Sequence, residues 1–159
     1  MKALTLTQPW ATLVALQAKS IETRSWRTSY RGPLAIHAAK RMPKSASLLC
    51  CQEPFRAALE AGGYKLENST TNNPFGLPLG AIIAVAILTD IQPITPENQP
   101  PEPEHSFGDY TPGRFAWMLQ NIYRLPDPIP ASGRLGLWEW NPPNLPSLLP
   151  PHSALSRII

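Results

Sequence analysis

The chain has 159 residues, with 14 Lys and Arg against 11 Asp and Glu, and a formal net charge of +3. That length suits one domain able to bury about two-thirds of its unfolded surface, and the ordinary hydrophobic content excludes a largely disordered or fibrous chain. The longest apolar run, residues 81–88, is far shorter than the ~20 residues a membrane helix needs, and the first residues lack the apolar stretch of a secretory signal, so a cytoplasmic location away from membranes is expected.

Residues 3–7 alternate Leu4 and Leu6 against Thr5 and Thr7, a short strand. Thr7 is placed to cap a helix whose first turn tolerates Pro9, with Gln8 beside the free backbone N–H groups. Trp10, Leu13, Val14 and Leu16 follow at helical spacing, which predicts a helix stopping near Ala18 or Lys19. Residues 21–26 read as a strand and 27–33 as a turn containing Gly32-Pro33. Residues 34–38 read as a second strand, with His37 opposite Leu34 and Ile36. A basic connection, 40–44, leads to helices over 45–52 and 55–61, the latter stopped by Gly62-Gly63.

Residues 64–78 are turn-rich. The Ile, Val and Ala of 79–91 predict a buried strand. Residues 92–113 hold six prolines and few large apolar residues, the composition of a long surface loop. Two further strands are expected over 115–125 and 133–140, separated by a turn-rich crossing. From residue 141 on, five prolines and no periodicity predict a tail that is either laid on the surface or disordered. The organisation expected is therefore one domain over 1–140 and a proline-rich tail over 141–159. Its class is α+β: a small curled sheet or barrel of about six strands with two or three helices.

Charge is distributed unevenly. Residues 1–44 carry eight Lys and Arg and one acid, Glu22, a balance of +7; the remainder carries six bases and ten acids, a balance of −4. A half this basic points to a polyanionic partner, with a merely solvated basic surface as the plain alternative. Cys50 and Cys51 are adjacent, which suits reduced thiols rather than a disulfide framework. His37, His105 and His152 form no pair with metal-ligand spacing, so neither a metal nor a cofactor is expected.

The chemistry concentrates between residues 16 and 26. In an extended segment Glu22, Arg24 and Trp26 share one face, because strand side chains alternate with period two. Lys19 arrives from the helix end. This row offers a carboxylate, a guanidinium and an indole: an acceptor for a base N–H, a phosphate ligand, and a stacking surface. A salt bridge between Glu22 and either cation is the plain alternative. Arg31 and Arg134 are further candidate phosphate ligands, Lys40 of the basic connection and Gln8 at the helix start are further candidate contacts to nucleic acid, and His37 is placed to reach the cleft.

Lys19, Glu22 and Arg24 match the spacing G-x-K-x-x-E-x-R, with Gln17 at the glycine position. Together with Gln8-Pro9-Trp10, Arg31-Gly32-Pro33-Leu34, Ile36-His37-Ala38 and Gly133-Arg134-Leu135-Gly136-Leu137-Trp138, this resembles the ASCH domain (activating signal cointegrator homology) over roughly residues 2–140. The resemblance implies a PUA-like β-barrel with helices beside it and a cleft into which the signature residues look.

Two readings of function follow. The first is a monomeric module that binds RNA or another single strand, or a nucleotide, and takes one unstacked base into the cleft. Its candidate contacts are Gln8, Lys19, Glu22, Arg24, Trp26, Arg31, His37 and Lys40. The second, implied by the resemblance, is a small hydrolase using Lys19 and Glu22, either an amidohydrolase on an acylated cytidine or a ribonuclease. The amidohydrolases' active Lys matches Lys19, and their Thr three residues later is Glu22 here. A protein-interaction role for the 93–104 loop or the tail rests on composition alone.

Overall fold

The computed structural model describes residues 1–144; the tail expected over 141–159 lies, from residue 145 on, outside the described residues. Six strands form one sheet: β1 (Lys2–Leu6), β2 (Ile21–Arg24), β3 (Gly32–Ala38), β4 (Ala81–Pro93), β5 (Phe115–Pro130) and β6 (Leu137–Glu139), in the order β2-β5-β4-β3-β1-β6. β1 and β3 are parallel and the other neighbours antiparallel. Three α-helices, α1 (Trp10–Ala15), α2 (Lys44–Leu49) and α3 (Phe55–Ala61), lie in the connections. This is the expected small α+β architecture.

Period two sorts the sheet into two packed faces. Leu4, Leu6, Leu34, Ile36, Ala84, Ala86, Leu88 and Trp117 point one way and meet Ala11, Val14 and Ala15 of α1. Ala3, Ala35, Val85 and Ile87 point the other way, towards Leu125, Trp138 and Trp140. A third cluster, with Leu13, Phe55, Leu59, Phe75 and Phe107, joins the helices to the long loop. The sheet also curls. β2 and β1 are separated by three strands, yet Arg24 on β2 donates from Nη2 to the Thr5 carbonyl on β1 at 2.9 Å.

Several boundaries differ from the sequence reading. Thr7 caps nothing through its side chain; Gln8 does that work, with Oε1 accepting from the Thr12 N–H at 2.9 Å and Nε2 donating to the Pro78 carbonyl at 2.8 Å. β2 stops at Arg24, because its partner β5 begins opposite it, at Phe115. β5 runs on to Pro130 through Pro126 and Pro128, where a turn-rich crossing is expected. Prolines at alternate positions lack N–H groups on one edge only, and past Leu119 β5 has no strand, among the described residues, on the edge away from β4. β6 is short because residues 131–136 form a loop.

The 92–113 loop is anchored rather than loose. Its few apolar residues, Ile94, Phe107 and Tyr110, are buried. Glu104 accepts from the Ser20 and Ile21 N–H groups at 3.0 and 3.1 Å, and Thr23 Oγ1 accepts from the Asp109 N–H at 3.0 Å. The loop thereby covers the outer edge of β2, which would otherwise offer unpaired backbone groups.

Helix α1 ends earlier than its apolar spacing predicts. Gln17 adopts a φ of 60° and its N–H bonds the Val14 carbonyl at 2.9 Å, a left-handed helix stop. This is the position where the signature spacing carries glycine, which adopts that conformation without Cβ strain. Gln17→Gly should raise stability by about 0.5–1 kcal/mol, the ~1–2 kcal/mol of left-handed strain relieved less the ~0.5–1 kcal/mol entropic cost of glycine, since the exposed side chain gives up only a 3.2 Å bond to the Ile122 carbonyl. Urea denaturation checks this; an unchanged or lower midpoint contradicts it.

Candidate functional site

The turn at Gln17 sends Lys19 inward. Its side chain is 0% exposed, and Nζ donates to the Ile21 carbonyl. Glu22 Oε1 lies 3.9 Å from Lys19 Nζ and accepts from the Thr23 N–H at 2.7 Å, while Oε2 lies 3.7 Å from Arg24 Nη2. The three charges form a chain from interior to surface, lysine behind, glutamate between, arginine in front. Burial holds the Lys19 ammonium below its ordinary lysine value; Glu22 and Glu104 oppose this and Arg24 adds to it.

Glu22, Arg24 and Trp26 line one cleft of about 560 Å³. Trp10, Phe55 and Phe107 line it too, with Asp109 from the long loop and Arg114 just before β5. Trp26 is half-buried and packs edge-on against the fully buried Trp117, with ring centroids 4.7 Å apart and planes at 81°. Trp117 also donates from Nε1 to the Trp26 carbonyl at 3.2 Å, so the indole is held from behind. Trp10 and Phe55 meet edge to face at 6.1 Å. The cleft is thus aromatic on several sides and carries a carboxylate and a guanidinium on one wall.

A second, larger trough of about 1080 Å³ adjoins it, and Thr5, Thr7 and Arg24 line both. Lys40, His37 and Arg134 also line the trough. His37 is buried at its floor. Nε2 lies 2.9 Å from the Ala131 carbonyl, which only accepts, so Nε2 carries the proton; Nδ1 lies 3.2 Å from Thr5 Oγ1. Burial holds the imidazole below its ordinary value, against the pull of the Ala131 bond, and keeps it neutral.

The residues singled out in sequence are therefore divided. Glu22, Arg24 and Trp26 share the cleft; Arg24, His37, Lys40 and Arg134 share the trough. Lys19 lines neither and stands behind Glu22. Gln8 is 0% exposed and engaged with Thr12 and Pro78. Arg31 lines a separate recess with Arg27, donates to the Thr28 and Tyr30 carbonyls, and lies 3.6 Å from Asp90. Sequence reasoning passed over Trp10, Phe55, Asp109 and Arg114. Trp10 and Phe55 carry the same local pattern as core residues, and the two loop residues lie more than 80 positions from Glu22 with no spacing to link them. Among the described residues no group of His, Cys, Asp and Glu is arranged to hold a metal ion, and no helix is long and apolar enough to cross a membrane.

Residues 4–126 match the ASCH domain, and the chain belongs to that family. No curated protein matches it. Among solved structures it is similar to a tyrosine-to-phenylalanine mutant of ZmASCH from Zymomonas mobilis, at 13% identity and a TM-score of 0.48, over 88% of this chain and 89% of that one. Those values are too low for any residue to be carried across.

Glu22→Gln should destabilise the fold by about 2–3 kcal/mol, short of the ~3–5 kcal/mol for a close, fully buried pair, because the contacts are long and Glu104 remains. The folded-state lysine value is depressed, so stability is gained as pH climbs from that value towards the unfolded 10.5. Losing Glu22 depresses it further, so the deficit of the variant should be largest near pH 7 and shrink towards pH 10. Urea midpoints at the two pH values measure both effects, and a deficit independent of pH contradicts the coupling.

Proposed function

We propose that the aromatic cleft takes a single unstacked base of RNA or another single strand. The observation that carries this reading is the convergence of Glu22, Arg24 and a half-exposed Trp26 in one cleft of about 560 Å³. A base stacked on an indole contributes about 1–3 kcal/mol with little sequence preference. Glu22 presents an oxygen for an exocyclic amine or imide N–H. A base inside a duplex has both faces covered by its neighbours, which favours single-stranded or looped ligands. The basic N-terminal third supplies the long-range attraction.

The hydrolase alternative draws on one observation, the depressed value of Lys19, which suits a general base or nucleophile. The enclosure of that ammonium opposes it. Nζ is bonded to a backbone carbonyl and Lys19 lines neither cleft, so attack on a bound substrate requires the ammonium to give up that bond and reach a cleft.

Trp26→Ala should weaken binding of a labelled single-stranded RNA by about 1–3 kcal/mol, roughly 5- to 150-fold, in a fluorescence polarisation titration. Wild-type affinity should fall about 100-fold between 50 and 200 mM salt if about five phosphates are neutralised. Full affinity in a folded Trp26→Ala protein, or no binding to any oligonucleotide, would falsify the base-binding reading.

A further inference from the structure

The cleft that suits a base does not suit a phosphate. Both of its cations already face carboxylates: Arg24 lies 3.7 Å from Glu22, and Arg114 lies 3.4 Å from Asp109. A phosphate placed there meets two negative charges at close range. The adjoining trough has the opposite character. Arg24, Lys40 and Arg134 line it, and among the described residues no Asp or Glu does. The side chains of Lys40 and Arg134 have no ion-pair or hydrogen-bond partner among the described residues. Residues 145–159 contain no Asp or Glu.

The trough is also built, through its loop, to present Arg134. Ala131 is tied to His37 at 2.9 Å, and the Arg134 carbonyl lies 3.3 Å from Thr5 Oγ1, which in turn accepts from Trp138 Nε1 at 3.2 Å. Gly133 passes so close that a Cβ there would stand 2.5 Å from His37 Cε1 and 2.8 Å from Thr5 Oγ1. The backbone on both sides of Arg134 is thereby held while its side chain is left to solvent. Beside it Leu135 is 99% exposed, an apolar side chain in water at the rim of a cationic trough.

We propose that this trough binds the phosphodiester adjacent to the base held in the aromatic cleft, with Arg24 on the wall the two share. The inference rests on the base-binding reading and adds to it that the ligand is a phosphorylated strand rather than a free nucleoside. Two cations without partners, a shared arginine and the absence of carboxylates among the described lining residues give the phosphate a place, and the charges of the neighbouring cleft keep it there. The strand then crosses from one cleft to the other over Thr5 and Thr7, which line both.

The test is a salt-dependent titration of a labelled oligouridylate into wild type, Lys40→Gln/Arg134→Gln and Trp26→Ala. Both charge substitutions fall on exposed side chains, so the variant should fold, and melting curves verify this. The double variant should bind at least ~10-fold more weakly at 50 mM salt, and its log–log salt slope should be shallower by about 1.4, the loss of two phosphate contacts on a single strand. A double variant with the affinity and slope of the wild type overturns the trough. If Trp26→Ala is at the same time defective, the base cleft survives that failure. The reverse pattern, a flattened slope in the double variant and wild-type binding by Trp26→Ala, supports the phosphate trough and removes the base cleft. A wild type that binds no oligouridylate overturns both.

Discussion

A lysine ammonium enclosed where α1 gives way to β2 constrains everything around it. Taking an isolated charge out of water is costly, so Lys19 must be compensated from nearby. Glu22 stands three residues on, Glu104 arrives from the middle of the long loop, and the Ile21 carbonyl accepts a hydrogen bond directly. Satisfying that one group ties together a helix end, the edge strand and the 92–113 loop. It also sets the orientation of Glu22, and through Glu22 that of Arg24.

The curl of the sheet then turns this charged row into a site. Arg24 on the edge strand reaches the Thr5 carbonyl on β1, across a gap the sheet order alone puts three strands wide. The closure leaves two concavities, one on each side of Arg24. One is walled by indoles and phenyl rings and carries carboxylates; the other is walled by the glycine-bearing 131–136 loop and carries only cations among its described charged residues. Separation of flat apolar surface from bare positive charge is what a nucleotide presents in reverse, a flat base joined to a negative phosphate.

Much of this was legible in the chain. Alternation along 21–26 puts Glu22, Arg24 and Trp26 on one face, and they do share a cleft, although β2 ends at Arg24 and the chain bends at Ser25 and Trp26. The buried β4 run and the alternating β1 and β3 residues read correctly because burial on both faces leaves so few other arrangements. The fate of Lys19 was not legible. Helical spacing continues past residue 15, and only the left-handed turn at Gln17 breaks it. Nor was the division among the arginines: Arg24, Arg31 and Arg134 look alike in sequence, but the first bridges two strands, the second is bound to carbonyls and Asp90 on another part of the surface, and the third is offered to solvent on a pinned loop.

By itself the sequence determined the identity and local facing of the residues that matter, because side-chain period and turn chemistry act over a few positions and need nothing from the rest of the chain. Only the tertiary structure decided which of those residues meet. Glu104 and Asp109 come to β2 from more than 80 positions away, and His37 receives Ala131 from more than 90. Such meetings depend on sheet order and curl, which arise from packing of the whole core, and no local pattern encodes them.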